Sequence, residues 1–221
     1  MIGAMNRGSV AALLLIVPAL AQPERVPGWF LSGMNRVQFV VSLDHEAMHG
    51  GTASAMIRCT EKRCESFGTL MQTIKADEYL GQRVRLSAWV KASDAGKPRI
   101  WMRIDGQNGE VLAFDNMDNR SKNGSFHWQL QQIVLNVNKP AVLINFGFML
   151  EGHGVAWIDD VSLDVVDRKV KDTSMMSGSG PGQADPRSIG RRWEAAPAQP
   201  ANLDFEQTRE TGNQLVELRR W

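Results

Sequence analysis

Two alternating stretches between residues 81 and 106 constrain the fold more than any other part of the chain. The segment reads GQRVRLSAWVKASDAGKPRIWMRIDG, and apolar residues alternate with polar or larger ones in each half. A period of two is typical of a β-strand that buries one face and leaves the other open. The pattern therefore predicts two β-strands joined by a turn, paired as a hairpin.

The same alternation predicts which side chains point away from the core. Trp89 and Trp101 have the opposite parity to the apolar residues of their strands, so we expect both on one open face of one sheet. The ligand-binding residues expected on this face are Trp89, Trp101, Arg85, Arg99, Arg103 and Asp105. Tryptophan rings stack on sugar faces, whereas the polar groups would bond hydroxyl or acidic groups. Residue type fits a protein-docking site equally well, and a covering segment would leave the tryptophans with no binding role.

Alternation of apolar and polar residues recurs over most of the chain, and turn residues such as Gly, Asn and Pro separate the alternating segments. The other extended candidates are residues 28–31, 37–43, 53–57, 68–74, 111–114, 128–137, 142–150 and 155–166. Short strands at regular spacing predict an all-β sandwich of two antiparallel sheets over residues 22–167. Residues 168–201 lose the periodicity and are rich in Ser, Gly, Pro and Ala, which predicts a disordered linker.

The N-terminus has the pattern of a secretory signal peptide. Arg7 precedes the short apolar run VAALLLIVPAL at residues 10–20, and Ala19-Leu20-Ala21 fits the small-x-small cleavage rule. We therefore expect a signal peptide over residues 1–21, a periplasmic or secreted protein, and no membrane span after cleavage. The net charge of +1 argues against a nucleic-acid partner, which normally requires a strongly basic face.

The two cysteines agree with export. Cys59 and Cys64 stand five positions apart between two predicted strands. A disulfide across such a turn is plausible in an oxidising compartment, and its short loop would contribute about 2 kcal/mol.

Four segments, in chain order, carry a resemblance to a known family. They are DHEAMHGGTASAMIR, YLGQRVRLSAWVKA, HWQLQQIVLNV and GVAWIDDVSLDVV. The chain resembles the jelly-roll, galactose-binding-like carbohydrate-binding modules found beside bacterial glycoside hydrolases. The resemblance implies a jelly-roll sandwich and a non-catalytic function in binding polysaccharide or glycan. Similar domains also occur in bacterial transcriptional regulators, so a regulatory or sensor module of the same fold stays open.

Two acidic residues are candidates for a structural calcium site. By parity Asp159 falls in the row of Val161 and Leu163, which should face the core, so its carboxylate needs a partner. The resemblance implies calcium for the first aspartate of the DDVSL strand; the alternative is a carboxylate that caps backbone amides. The family's first strand reads like NLGFE, and here residues 202–206 read NLDFE. We expect this part of the C-terminal segment, residues 202–221, to add a strand to the sandwich and to bring Glu206 towards Asp159.

A rival hypothesis comes from His45-Glu46-Ala47-Met48-His49, a formal H-E-x-x-H motif. On a helix, this spacing places two zinc-binding histidines and a general base on one face. Here Gly50 and Gly51 follow at once, which predicts that no helix forms and that the match is a false positive. The sequence offers little support for other catalytic motifs. We therefore expect a protein that is not an enzyme, with a zinc-dependent hydrolase as a lesser alternative.

Overall fold

In the computed structural model, residues 25–176 and 185–207 are described, and within them ten strands and one α-helix form. The strands are β1 (Phe30–Ser32), β2 (Phe39–Asp44), β3 (Ser54–Cys59), β4 (Phe67–Lys75), β5 (Arg83–Ala95), β6 (Lys97–Gly106), β7 (Val111–Asp115), β8 (Gly124–Asn136), β9 (Ala141–Glu151) and β10 (Val155–Val166). The α-helix is α1 (Pro186–Ala195), and short 3-10 turns cover Arg36–Gln38 and Asp77–Tyr79. The predicted signal peptide, residues 1–21, lies outside the described residues. Among the described residues, no helix has the length and apolar character needed to cross a membrane.

The strands form two five-stranded antiparallel sheets that pack face to face. The first sheet has the order β1-β4-β9-β6-β7, and the second has the order β2-β3-β10-β5-β8. Their inner faces form one hydrophobic core in which Phe146, Phe148, Leu86 and Met102 are fully buried or nearly so. The predicted all-β jelly-roll sandwich of two antiparallel sheets is thereby confirmed.

The predicted hairpin between residues 81 and 106 is wrong, because its two strands belong to different sheets. β5 pairs with β8 and β10, whereas β6 pairs with β7 and β9. The chain passes from one sheet to the other at Gly96, where an added Cβ would lie 2.1 Å from the carbonyl oxygen of Glu151. This close approach explains why glycine stands at the crossover.

The predicted disulfide is confirmed. Cys59 ends β3, and its bond to Cys64 closes the short loop that leads towards β4. Both cysteines are buried at the rim of the core.

The described parts of residues 168–201 do not form the disordered linker that was expected. Thr173 exchanges backbone and side-chain hydrogen bonds with Val134 on the edge strand β8, and the amide of Met175 donates to Phe114 on the edge strand β7. Helix α1 follows, with Asp185 as its N-cap and Ile189 buried against the first sheet's Leu143. Composition suggested a linker because small and polar residues dominate, yet edge pairing needs only backbone groups.

Residues 202–206 return to the sandwich but do not add the expected strand. A single backbone bond, from the amide of Val161 to the carbonyl of Leu203, joins them to the second sheet. Phe205 is fully buried in the core, its ring 5.3 Å from that of Trp29, while Leu203 is half-buried. A positive φ of 59° at Phe205 takes the backbone out of the extended conformation, so the segment fills the core without forming a ladder.

Candidate functional site

The structure divides the predicted ligand residues between opposite sides of the molecule. Trp101, Arg99, Arg103 and Asp105 lie on β6 in the first sheet, whereas Trp89 and Arg85 lie on β5 in the second. The prediction that both tryptophans share one face is therefore wrong. Each does lie on the outer face of its own sheet, as parity required, because period two identifies the face of a strand and not its partner.

The outer face of the first sheet carries an apolar cleft around Trp101. Strand register aligns Phe30, Met71, Gly147 and Trp101 in one row across β1, β4, β9 and β6. Gly147 has no side chain at the middle of this row, and a Cβ there would lie 2.4 Å from the carbonyl oxygen of Leu70. The surface of the sheet is consequently recessed at Gly147, between the larger side chains of Met71 and Trp101.

The cleft has a volume of about 510 Å³. It is lined by Phe30, Leu31, Ser32, Gly33, Arg36, Phe67, Thr69, Met71, Trp101, Arg103, Phe114, Met149 and Arg192. Trp101 is buried, with 7% of the residue exposed, and its indole Nε1 donates a 2.7 Å hydrogen bond to Thr69 Oγ1. Trp101 packs with Met71 and Met149 in one buried cluster.

One end of the cleft is polar and is built on the buried carboxylate of Asp105. Arg103 binds it in bidentate fashion, with Nε and Nη2 at 2.7 and 2.8 Å from its two oxygens. Asn145 Nδ2 donates to the same carboxylate at 2.9 Å, and Arg192 Nη1 approaches Oδ2 at 3.4 Å. Burial lowers the pKa of Arg192, and the nearby charge of Arg103 lowers it further, while Asp105 opposes both effects.

Arg192 was missed by the sequence analysis because it falls in the range assigned to a linker. It stands on α1, and its guanidinium also donates to the side-chain oxygen of Asn145. Asp185 followed by Pro186 is a recognisable helix start, since aspartate caps the first amides and proline suits the first helical position. That signal was available in the sequence.

Two of the predicted arginines do not line the cleft. Arg99 is buried on β6, and its Nη2 bonds Glu151 Oε2 at 2.7 Å. Arg85 lies on the second sheet, 3.7 Å from Asp164. Arg99 and Arg85 therefore each form an ion pair with a neighbouring carboxylate outside the cleft.

On the second sheet a loop covers Trp89. The imidazole of His49 stacks on its indole, and the ring of Trp128 meets the same imidazole edge-on at 5.9 Å. His49 Nδ1 is 2.6 Å from Asp160 Oδ2, which holds the imidazole in place. The covering segment considered in the sequence analysis is therefore present at Trp89.

The H-E-x-x-H residues do not form a helix, in agreement with the sequence analysis. They lie in bends between β2 and β3. His45 Nδ1 pairs with the carbonyl of Thr52, whereas His49 pairs with Asp160. Over the ranges 25–176 and 185–207, no group of three or more His, Cys, Asp or Glu side chains is arranged to hold a metal ion.

The parity assigned to Asp159 is wrong because a β-bulge follows it. The register of β10 shifts between Asp159 and Ser162, and Asp160 has a positive φ of 47°. Asp159 consequently shares the outer face with Trp89, to which it is paired, and Val161 turns inward. Its carboxylate is nevertheless fully buried, since the loop that carries His49 covers it.

Asp159 and Glu206 each accept hydrogen bonds from the backbone of this loop. Asp159 Oδ2 accepts from the amides of His49 and Gly50 at 2.8 and 3.1 Å. Glu206 Oε1 accepts from the amides of Thr52 and Ala53 at 2.8 and 3.3 Å. Burial raises the pKa of Asp159, whereas the Thr52 bonds lower the pKa of Glu206.

Asp159 thus has the amide-capping arrangement that was the alternative to a calcium ligand in the sequence analysis. Calcium binding stays a prediction from the sequence.

Comparisons with known proteins give one curated relative. The chain is 39% identical over 154 residues to a Bacillus subtilis (strain 168) protein described as an uncharacterized HTH-type transcriptional regulator, YbfP. The match covers 69% of this chain and 52% of that protein, so the chain spans about half the length of the relative. No protein-family model matches the chain.

Solved structures that are similar to this chain include a phage enzyme domain and a carbohydrate-binding module. The enzymatically active domain of bacteriophage CBA120 tailspike protein 4 has a TM-score of 0.52 at 15% identity, over 65% of this chain and 20% of that one. The C-terminal family 22 carbohydrate-binding module of Clostridium thermocellum Xyn10B has a TM-score of 0.49 at 14% identity, over 64% of this chain and 87% of the module. At such low identity, the tailspike likeness concerns the β-sandwich fold alone.

Proposed function

We propose that this protein is a non-catalytic binding module whose ligand is a carbohydrate bound in the Trp101 cleft. The observation that carries the proposal is the cleft over the aligned row of Phe30, Met71, Gly147 and Trp101 on the outer face of the first sheet. A sugar ring presents polarised C–H groups on its faces, and these pack against aromatic and thioether side chains.

The chemistry of the cleft suits a ligand that is apolar on one face and polar at its edge. Ser32 supplies a hydroxyl group beside the row, and Arg103 supplies guanidinium donors at its end. These side chains stand on strands that pair in continuous ladders, so a ligand would meet a site that needs little reorganisation.

The outer face of the second sheet is a weaker candidate for the same function. His49 covers the Trp89 indole and is itself held by Asp160. A ligand that stacked on Trp89 would first have to displace the imidazole. The role in ligand binding that was predicted for Trp89 and Arg85 is therefore not part of the proposal.

Titration calorimetry of the protein with a panel of soluble polysaccharides tests the proposal. Phe114→Ala removes a half-buried ring from the cleft, and Leu130→Ala removes an apolar side chain that is 48% exposed on the opposite face. We expect at least one polysaccharide to bind, with Phe114→Ala weakening that binding about tenfold or more and Leu130→Ala leaving it unchanged. Equal effects of the two substitutions, or no binding across the panel, would overturn the proposal.

A second candidate function is a sensor module that binds a small soluble ligand in the same cleft. The 39% identity to the B. subtilis protein described as a transcriptional regulator favours it. Within the described residues α1 is the single α-helix, so that part of the chain lacks the helix pair that reads DNA. A sensor would bind mono- or disaccharides as tightly as polymers, whereas a polysaccharide-binding module would bind the longer chains more tightly.

Export to the periplasm or beyond is part of the same proposal. The signal-like residues 1–21 and the Cys59–Cys64 disulfide support it. N-terminal sequencing of protein recovered from the periplasm should give Gln22 as the first residue. Recovery of the intact Met1 chain from the cytoplasm would contradict export.

A further inference from the structure

The charged lining of the cleft is of one sign. Among the described residues that line it, the charged side chains are Arg36, Arg103 and Arg192, with no acidic group. The whole sequence is nearly neutral at +1, so this concentration of positive charge is local. A concave surface with charge of one sign attracts ligands of the opposite sign.

A buried carboxylate lies beneath two of these arginines. Asp105 is fully buried beneath the end of the cleft, where Arg103 and Arg192 both approach its Oδ2. Arg103 and Arg192 thus share the Asp105 carboxylate, and Arg36 lies on an exposed 3-10 turn.

Arg103 and Arg192 both line the cleft, where a guanidinium group can meet a planar anion. The described side-chain bonds of Arg103 use Nε and Nη2, one edge of its guanidinium fork. Arg192 is partly buried, where its charge is poorly solvated, so an anion beside it would stabilise the charged form. Bidentate guanidinium–carboxylate pairs combine charge attraction with fixed geometry.

We infer that the cleft binds an acidic sugar, a uronic acid residue within a polysaccharide, with its ring on the Trp101 row and its carboxylate at Arg103 and Arg192. The inference rests on the proposed carbohydrate-binding function and names the class of ligand. It assigns Arg192, on a helix outside the sandwich, the role of a specificity-determining residue.

The test uses two forms of one polymer, polygalacturonate and its highly methyl-esterified counterpart, alongside a neutral galactan and xylan. Esterification masks the carboxylate and leaves the sugar rings in place, so calorimetry of the two forms isolates the charge. We expect the unesterified polymer to bind about tenfold or more tighter, with an affinity that falls as sodium chloride is raised.

Three substitutions locate the effect on the protein. Arg192→Gln and Arg36→Gln should each weaken binding of polygalacturonate several-fold and leave the esterified polymer unaffected. Arg191→Gln is the matched control, because it removes the same charge from an exposed position on the same helix and should change neither affinity. Arg36 is exposed, so Arg36→Gln should fold normally and tests the role of positive charge independently of any effect of Arg192→Gln on the fold.

The outcomes distinguish failure of the acidic-sugar inference from failure of the proposed carbohydrate-binding function. Equal binding of the two polymer forms, or of neutral and acidic chains, overturns the inference and leaves carbohydrate binding intact. An equal loss with Arg191→Gln overturns it too, since the attraction would then come from overall charge. Binding of no polysaccharide at all overturns the proposed function itself.

Discussion

The imidazole of His49 lies nearly flat on the indole of Trp89, with ring centroids 4.0 Å apart and planes 14° from parallel. The two residues come from different elements, and the loop that brings His49 there is fixed by Asp159 and Glu206. The contact closes what would otherwise be an open aromatic surface on the second sheet.

Removing this imidazole should expose Trp89 without affecting the cleft. We expect His49→Ala to increase quenching of tryptophan fluorescence by iodide and to leave polysaccharide affinity unchanged. His127→Ala, at an exposed position on β8, is the control and should leave quenching as in the parent protein. Unchanged quenching in His49→Ala would mean that the stacked ring does not protect Trp89.

Phe205 should contribute strongly to stability although it lies outside every strand. Its ring is fully buried beside Trp29, so Phe205→Ala leaves a cavity and should lower the free energy of unfolding by about 3–5 kcal/mol. Urea unfolding measures the change. Gln207→Ala, exposed two residues on, should stay within about 0.5 kcal/mol of the parent. A similar effect of both substitutions would place Phe205 outside the core.

Glu206 should stabilise the protein in a pH-dependent way. Its pKa lies below the ordinary 4.5 because the hydroxyl and amide of Thr52 donate to the charged carboxylate. A lowered pKa means that the contribution is complete above pH 4.5 and is lost as the pH falls through the folded-state value. Glu206→Gln should therefore melt at a lower temperature than the parent at pH 7, and the gap should narrow under acidic conditions. A gap that is constant with pH would contradict this account.

Two glycines should respond in opposite ways to alanine. At Gly147 the new methyl would meet the Leu70 carbonyl oxygen at 2.4 Å, so Gly147→Ala should cost about 1–3 kcal/mol of stability. Nothing lies within 4 Å of the corresponding position at Gly190 in α1, so Gly190→Ala should gain up to about 1 kcal/mol from helix propensity. Chemical denaturation of the two variants measures the free energy of unfolding. Equal changes in both variants would show that the backbone around Gly147 accommodates a methyl group without strain.

The sequence predicted which side chains of most strands face the core, but it did not predict which strands pair with each other. Period two placed the apolar residues of the segments that form β5 and β6 in the core and Trp101 on an outer face, since side-chain alternation is a local property. The pairing of β5 with β8 and β10 depends on contacts between distant segments, which alternation does not encode. The bulge at Asp160 shows the same limit, because one extra residue reverses the parity of everything after it.

The candidate site was predictable only in part for a similar reason. Trp101, Arg103 and Asp105 are neighbours on one strand, so their grouping on one face was visible in the sequence. Arg192 reaches them from α1, which lies far along the chain beyond an apparent linker. Its position depends on how Ile189 packs beneath the helix, and no local pattern reports that contact.

The hydrogen bond from Trp29 Nε1 to the carbonyl of Asn202 joins positions 173 residues apart. Asn202 Nδ2 donates in turn to Pro27, so the first and last described segments hold each other. Contacts between residues so far apart in sequence are typical of slow folding, because the entropy of closing a long loop opposes them. During synthesis the place of the Phe205 ring in the core stays unfilled until residue 205 has left the ribosome, so we expect a nascent chain stopped before that point to expose apolar core surface.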